Sequence, residues 1–140
     1  MKHSAKTAAT HGFTLIELMI AVAILAIIMG IAIPSYTQYV LKSGRADAKS
    51  ALYGAAQTLE RCYTRYSAYN NSSCALGQGD TEMSENDKYE VTVTSVDSTE
   101  FELTAVPQGS QAEDTECKNF TLDHTGAKGV SGSGDVDDCW

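Results

Sequence analysis

The apolar residues of this 140-residue chain are concentrated near its start. Residues 13–33 form an almost unbroken apolar run that contains a single charged residue, Glu17. As a helix, these 21 residues would extend about 31 Å at about 1.5 Å per residue. The hydrocarbon core of a bilayer is about 30 Å thick. The pattern therefore predicts a membrane-spanning helix over residues 13–34.

Beyond Pro34 the apolar residues recur at helical spacing instead of forming a run. No cluster of glycine and proline interrupts residues 35–65, so the pattern predicts one continuous helix from Phe13 to about Tyr66. Its second half carries an apolar stripe that would pack on a globular head comprising residues 35–140. The stripe consists of Leu52, Ala55, Ala56, Leu59, Cys62, Tyr63 and Tyr66.

Three shorter segments after this helix alternate apolar and polar residues, as strands do. A loop over residues 67–87 precedes them, and the tail from His124, which has four glycines, is predicted to be mostly loop. An antiparallel sheet with one apolar face needs a cover, which the helix stripe supplies. The predicted fold class is α+β, with a long helix on an antiparallel sheet over about residues 88–123. The alternating residues are Tyr89, Val91 and Val93, then Phe101, Leu103 and Ala105, then Phe120 and Leu122.

The first twelve residues differ from a secretory signal peptide. They carry Lys2 and Lys6, no acid and no apolar stretch, and the small residue Gly12 comes before the apolar run. A secretory signal has its cleavage site after the apolar core. We therefore predict that residues 1–12 are a leader cleaved after Gly12, which keeps the apolar helix and makes Phe13 the new N-terminus.

Glu17 is costly in a membrane helix and so calls for an explanation. An acid near the middle of such a helix costs about 2.5–3.5 kcal/mol on insertion scales, and less near an end. A free α-amino group on Phe13 is protonated near neutral pH. Pairing with the ammonium of a neighbouring chain would make Glu17 an assembly device that fixes the register of an added subunit. The alternative is a carboxylate that merely reaches the headgroups.

Small residues within the apolar run indicate helix–helix contact. Ala26 and Gly30 lie four residues apart and leave a flat patch where another helix can approach closely. Pro34 removes a backbone donor, so the helix can bend or loosen between Gly30 and Pro34.

The N-terminal motif resembles that of a known family. A glycine, "FTLIE", an apolar helix, a proline and "SYTQYV" resemble the type IV pilins of the type IV filament superfamily, and "CKNFTLDHTGAKG" with the terminal "CW" is similar to the end of the PilE-like group. The resemblance implies the pilin fold. It also implies that a prepilin peptidase cuts after Gly12 and N-methylates Phe13, and that Glu17 contacts Phe13 of an adjacent subunit.

The same resemblance implies a location and partners. The precursor would lie in the lipid of the bacterial inner membrane, with the prepilin peptidase and the pilus assembly machinery. Mature copies would polymerise with one another into a surface filament for adhesion, twitching motility or DNA uptake. Two alternatives stay open: a type II secretion pseudopilin, and a minor tip pilin that binds a ligand such as DNA. A plain single-span protein would leave Gly12 and Glu17 unexplained.

Four cysteines in the head suggest two disulfides in an oxidising compartment. Spacing alone leaves three connectivities open. The sequence favours the two local pairs, Cys62–Cys74 and Cys117–Cys139, and the family resemblance implies that the second closes an exposed C-terminal loop over residues 117–139.

Charge is distributed unevenly along the head. The formal net charge is −8; residues 42–65 hold five Lys or Arg against two acids, whereas the chain from Leu76 holds three against fifteen. This distribution makes nucleic acid an unlikely main partner, although Lys118 and Lys128 leave a short basic patch. It predicts either a solvated acidic surface or copies that stack basic segments against acidic ones.

The residues offer little for catalysis. His3 and His11 lie in the leader, which leaves His124 as the histidine of the predicted mature chain. We therefore expect no enzyme activity and no cofactor. We also expect no metal, because two acidic clusters lack the spacing of a known calcium loop. These clusters are Asp80, Glu82, Glu85 and Asp87, and Asp135, Asp137 and Asp138.

Overall fold

A computed structural model of the chain describes residues 12–140, so the predicted leader lies outside the described residues except for Gly12. The chain divides into two compact units, one ending at Thr37 and one comprising Gln38–Trp140. Helix α1, Leu15–Tyr66, contributes to both. Its bounds agree closely with the predicted helix from Phe13 to about Tyr66.

In the first unit, α1 is apolar and exposed. An 18-residue window of α1 near the N-terminus has a mean hydropathy of 2.8, and none of it is buried, so this helix is long and apolar enough to cross a membrane. The helix continues through Pro34 without a break. Near the proline, the Ser35 hydroxyl donates a hydrogen bond to the Ile31 carbonyl, and the Thr37 hydroxyl donates one to the Ile33 carbonyl.

The second unit is a five-stranded antiparallel sheet covered by the later part of α1. The strands lie in sequence order, β1-β2-β3-β4-β5, and each pairs with its neighbour along the chain. A 3₁₀ helix, Gly109–Glu113, follows β3, and a short helix α2, Val136–Cys139, ends the fold. The strands are β1 Thr81–Met83, β2 Tyr89–Val96, β3 Phe101–Pro107, β4 Phe120–Asp123 and β5 Lys128–Val130.

The core forms between the helix stripe and one face of the sheet. Ala48, Leu52, Ala55 and Leu59 recur at helical spacing and are buried, and the apolar residues that alternate along β2, β3 and β4 are buried against them. This arrangement is the one that the two periodicities predict. The predicted α+β fold is thereby confirmed. The buried sheet residues are Tyr89, Val91, Val93, Phe101, Leu103, Ala105, Phe120 and Leu122.

The sequence missed the two edge strands. β1 lies inside the predicted loop 67–87, so that prediction was wrong at this point, and β5 is a short strand within the tail that was predicted to be mostly loop. Each strand has three residues, and all three residues of β1 are exposed. Such strands carry no alternation of their own, because the backbone of the neighbouring strand determines their pairing.

One glycine of α1 is required by a close approach. The Gln111 side chain lies over Gly44, where its amide donates hydrogen bonds to the Leu41 carbonyl at 2.9 Å and to the Tyr89 hydroxyl at 3.1 Å. A Cβ at Gly44 would overlap with this amide. The 3₁₀ helix is therefore held against α1 by a buried polar contact that only glycine permits.

We predict opposite effects of alanine at the two head glycines of α1. Gly44→Ala should lower the free energy of unfolding by about 1–3 kcal/mol, because Gln111 must give up buried hydrogen bonds. Gly54→Ala should raise it by about 0.5–1 kcal/mol, because nothing lies within 4 Å of an added Cβ there and alanine favours the helix. Denaturant unfolding of the chain in detergent, followed by the fluorescence of its single tryptophan, Trp140, measures both. A gain of stability at both positions would show that Gln111 moves aside without cost.

Candidate functional site

α1 begins at a capping-box sequence, of which the structure shows the hydrogen bond that caps the helix at Thr14. Thr14 precedes the first helical residue, and its Oγ1 accepts a hydrogen bond from the backbone N–H of Glu17 at 3.3 Å. Threonine followed three residues later by glutamate is the sequence signature of this motif. The backbone N–H of Glu17 thus helps to hold the first turn of its own chain.

Glu17 stays available to a second chain despite the capping box. Its side chain is exposed, and Phe13, four residues earlier, is 80% exposed. A carboxylate in the first turn also interacts favourably with the partial positive charge of the helix N-terminus. The first turn of α1 can thus hold an anion in place and present it outward.

The predicted helix–helix patch is exposed in the single chain. Ala26, Gly30 and Pro34 are all exposed, and nothing lies within 4 Å of a Cβ added at Gly30. The described residues thus leave this face of α1 open to another helix, which is the condition that close helix packing needs.

A buried ion pair joins α1 to the segment before β4. Arg45 Nε and Nη2 donate to the two carboxylate oxygens of Asp114 at 2.7 and 2.9 Å, and Nη2 also donates to Glu116 at 2.6 Å. Arg45 is 4% exposed and Asp114 is 2% exposed. A two-point contact of this kind fixes direction as well as distance, so it sets the position of the loop that carries Cys117.

Protonation states in this cluster follow from its geometry. Burial alone would raise the pKa of Asp114, but the Arg45 guanidinium and the backbone N–H of Cys117 hold that pKa below its usual range. The hydrogen bond to Asp114 in turn raises the pKa of Arg45. Because the folded pKa of Asp114 is lowered, its contribution to stability is present at neutral pH and is lost as the pH falls below about 4.

A second buried acid holds the turn between β1 and β2. Asp47 accepts hydrogen bonds from the Ser84 hydroxyl and from the backbone and side-chain amides of Asn86. Burial would raise the pKa of Asp47, yet these donors lower it on balance. The sequence placed Arg45 and Asp47 in a charged stretch of helix, and no local signal showed that both point inward.

The two disulfides lie where the head would otherwise be loose. The structure joins Cys62 to Cys74, between α1 and the loop after it, and Cys117 to Cys139, between the segment before β4 and α2. This is the pairing that the sequence favours. The second disulfide closes the predicted loop over residues 117–139.

A basic and aromatic surface surrounds the last residue. The Trp140 indole N–H donates to the Gly129 carbonyl at 3.0 Å, and Lys49 Nζ donates to the Trp140 carbonyl at 2.7 Å. Lys128 Nζ lies 5.2 Å from the centre of the Trp140 ring, and the Tyr53 ring lies edge-on at 6.0 Å. Burial, with the positive charges of Arg45 and Lys128, lowers the pKa of Lys49. We call Lys49, Tyr53, Lys128 and Trp140 the tryptophan surface.

One group of side chains has the spacing of a metal site but not its chemistry. Ligand atoms of Asp114, Glu116 and Cys117 lie within 4.8 Å of one another. Arg45 already binds both carboxylates, and the Cys117 sulfur is in a disulfide. This group therefore has no free ligand to offer a cation, and the expected absence of a metal stays a prediction.

Comparison with known proteins agrees with this geometry. Residues 34–121, more than half of the chain, match a family model described as "Type IV minor pilin ComP, DNA uptake sequence receptor". The chain belongs to the type IV pilin family. Residues 8–33 match a second model, the prokaryotic N-terminal methylation motif, which includes Gly12, Phe13 and Glu17.

Individual relatives match this pilin over part of its length. The "Type IV major pilin protein PilA" of Myxococcus xanthus is 44% identical over 64 residues, which are 44% of this chain and 29% of that protein. The "Fimbrial protein EcpC" of Eikenella corrodens is 36% identical over 66 residues, 47% of this chain and 43% of that protein. The pilin thus spans less than half the length of these relatives.

A solved structure supports the fold of the head. The non-core minor pilin PilV of Neisseria meningitidis matches 69% of this chain and 92% of its own chain, with a TM-score of 0.53 and 21% identity. At this identity the likeness concerns the fold alone. The family is a structural one and not a known enzyme family, in line with the expectation of no catalysis.

We predict strong energetic coupling between Arg45 and Asp114. Arg45→Ala should lower the free energy of unfolding by about 3–5 kcal/mol, because it leaves a buried carboxylate without its partner. The double variant with Asp114→Ala should lose clearly less than the sum of the two single losses. Denaturant unfolding of the four chains in detergent, followed by Trp140 fluorescence, gives the coupling energy.

Two controls test whether the coupling comes from this ion pair. Arg61→Ala, on the exposed face of the same helix, should change stability by at most about 0.5 kcal/mol. Repeating the cycle at pH 3 should shrink the coupling, because Asp114 is then largely protonated in the unfolded chain and must lose that proton to form the ion pair on folding. Additive losses at pH 7 would contradict the role assigned to this ion pair.

Proposed function

We propose that this pilin is a structural subunit of a type IV filament. It is cleaved after Gly12, N-methylated at Phe13 and incorporated through the apolar part of α1. One observation carries the proposal: a 52-residue helix whose first part is apolar and exposed and begins with a lone acid. Before assembly this surface lies in the lipid of the inner membrane, and in a filament it is covered by the same surface of other copies.

The apolar surface itself supports assembly. Apolar side chains throughout the first part of α1 are more than half exposed, so the described chain does not bury them. Moving apolar area out of water stabilises an assembly by roughly 25 cal/mol per Å². When the helices come out of lipid instead, van der Waals packing between them drives their association. A bundle of such helices, in contact at Ala26 and Gly30, satisfies both conditions. The exposed side chains include Leu15, Ile16, Leu18, Met19, Ile20, Val22, Ile24, Leu25, Ile27, Ile28, Met29, Ile31 and Ile33.

The first turn supports a specific entry into that bundle. After cleavage, the ammonium of Phe13 lies just before α1, and the carboxylate of Glu17 lies in its first turn, four residues later. Each subunit then presents one cation and one anion to its neighbours, so a subunit in the wrong register leaves a charge buried without a partner. From the same segment we infer that a prepilin peptidase processes the chain and that an inner-membrane assembly machinery delivers it to the filament.

A secretion pseudopilin is the first alternative, since it shares the N-terminal motif. The names of the matched relatives, a major pilin and a fimbrial protein, favour a surface pilus over a short periplasmic filament. A surface pilus would also account for the two disulfides, because a head exposed outside the cell needs covalent support.

DNA binding is the second candidate function. The matched family model is described as a receptor for the DNA uptake sequence, and the tryptophan surface combines two lysines with two aromatic rings, as nucleic-acid-binding surfaces do. Lys128 and Trp140 lie after the matched residues, so this surface is argued from its own geometry. The net charge of −8 limits such binding to a small contact.

We predict that Glu17→Gln prevents filament assembly, although it preserves the capping box. Glutamine at this position caps a helix as glutamate does, but it has no charge to pair with the Phe13 ammonium. The processed subunit should remain in the membrane, and its amount in filaments sheared from cells should fall at least tenfold, as an unpaired buried charge implies. Quantitative immunoblotting of both fractions measures this.

Thr14→Val is the matched control. It removes the cap and keeps the Glu17 charge, so filaments should form with a smaller loss of yield than Glu17→Gln shows, because the first turn frays but the ion pair can still form. Intact mass of the sheared wild-type subunit should correspond to residues 13–140 with one methyl group and two disulfides. Normal filament yield from Glu17→Gln would contradict the pairing, and absence of the wild-type chain from sheared filaments would contradict the proposed function.

We predict that Lys128→Glu weakens DNA binding more than Lys88→Glu does. Lys128 belongs to the tryptophan surface, whereas Lys88 lies next to the β1–β2 turn. Loss of one phosphate contact should lower the salt dependence of the affinity by about one unit in the log–log slope. Fluorescence anisotropy of labelled duplexes with the chain in detergent measures both variants. Equal effects of the two variants would rule out this surface as the DNA contact.

A further inference from the structure

A groove lies at the end of α1, outside the surfaces described so far. It lies between the last turns of α1 and the loop that the Cys62–Cys74 disulfide ties to it, and its volume is about 890 Å³. The residues that line it include Gln57, Arg61, Arg65, Tyr66, Ser73 and Cys74. Because a disulfide fixes both walls, the groove is preformed and does not depend on a ligand for its shape.

The charge of this groove is positive and unpaired. Arg61 and Arg65 line it, and within residues 12–140 neither forms a salt bridge. Glu60 also lines it and accepts a hydrogen bond from the Tyr69 hydroxyl at 2.9 Å, so the two arginines leave the groove with a net charge of one positive. Two guanidinium groups one helical turn apart can bind carboxylates at two points each. The groove therefore suits an acidic segment of protein.

The same chain carries a segment of this kind. Asp135, Asp137 and Asp138 are exposed at α2, and in the part of the chain that the structure describes none of them forms a salt bridge. The segment is held rigidly, because Cys139 is joined to Cys117 and Trp140 packs on the head. Its carboxylates can therefore pair without the entropic cost of ordering a flexible loop.

The positions of the two surfaces favour contact between copies. α2 adjoins Trp140, which contacts Lys49 and Tyr53 of α1, whereas the groove lies at Arg61 and Arg65. Along α1, the part that Trp140 contacts lies about 18 Å from the part that lines the groove, at about 1.5 Å per residue. A contact between two different patches is heterologous, and such contacts generate helical filaments when they do not close into rings.

We propose that the Arg61–Arg65 groove receives the α2 segment of a second copy, with Asp137 and Asp138 paired to the two arginines. This inference rests on the proposed function and adds a head-to-head contact to the burial of the apolar helices. Each contact is modest, but it recurs at every subunit, so the filament gains from many such pairs together.

Block charge reversal in the full chain, expressed in its own cells, tests the proposal. Arg61→Glu with Arg65→Glu, and separately Asp137→Lys with Asp138→Lys, should each reduce the subunit in sheared filaments about tenfold, because like charges then face each other. The combination of all four changes should restore the yield to within about twofold, because the pairs re-form with opposite sign.

A mismatched combination is the control. Glu100 and Glu102 are exposed acids of the β2–β3 turn and β3, so Glu100→Lys with Glu102→Lys should not rescue the arginine variant. Trp140 fluorescence unfolding in detergent shows that each variant is folded. If a double change unfolds the head, the single pair Arg65→Glu and Asp137→Lys is tested in the same way.

The outcomes separate this inference from the proposed function. Wild-type filaments together with unchanged yield in both reversed variants would overturn the groove contact alone. Loss in both variants without rescue by their combination would overturn it as well, and would assign the groove to another anionic partner. Absence of the wild-type chain from sheared filaments would overturn the proposed function and this contact with it.

Discussion

The chain has an apolar helical surface that it cannot bury by itself. In the first part of α1, large apolar side chains are exposed all round the helix, which is typical of a segment meant for lipid or for other helices. Every other feature is compatible with this constraint. The head must fold without help from that surface, and the first turn must carry whatever information directs it into an assembly.

The head therefore has to be stabilised within about a hundred residues, a size at which a single core leaves a small margin. Its apolar contact between α1 and the sheet is supplemented by links between segments far apart in sequence. Arg45 holds Asp114, Asp47 holds Ser84, and Cys117 holds Cys139. These links converge on the irregular segments, where the sheet alone supplies least, so the loops between strands become as well positioned as the strands.

The sequence predicted those parts of the molecule that periodicity determines. The helix and the inward residues of β2, β3 and β4 follow from spacing, because burial on one face imposes a repeat. β1 and β5 could not be predicted in this way, since a strand of three residues is too short to show a repeat. Nor could the burial of Arg45 or the need for Gly44, because each depends on a residue about seventy positions away. The Thr14–Glu17 capping box was readable from the sequence and was overlooked.

Glu17 shows why two explanations of one residue need not compete. As the third residue of α1 it supports the helix N-terminus within its own chain, and as an exposed anion it can meet the ammonium of another. The first role holds the first turn in a fixed conformation, and the proposed pairing would gain from this because a fixed turn presents the charge at one position. An uncapped, frayed end would present the same charge over a range of positions and would discriminate poorly between them. In the proposed assembly, the stability of the first turn and the register of the subunit would therefore both depend on the same four residues, Thr14 to Glu17.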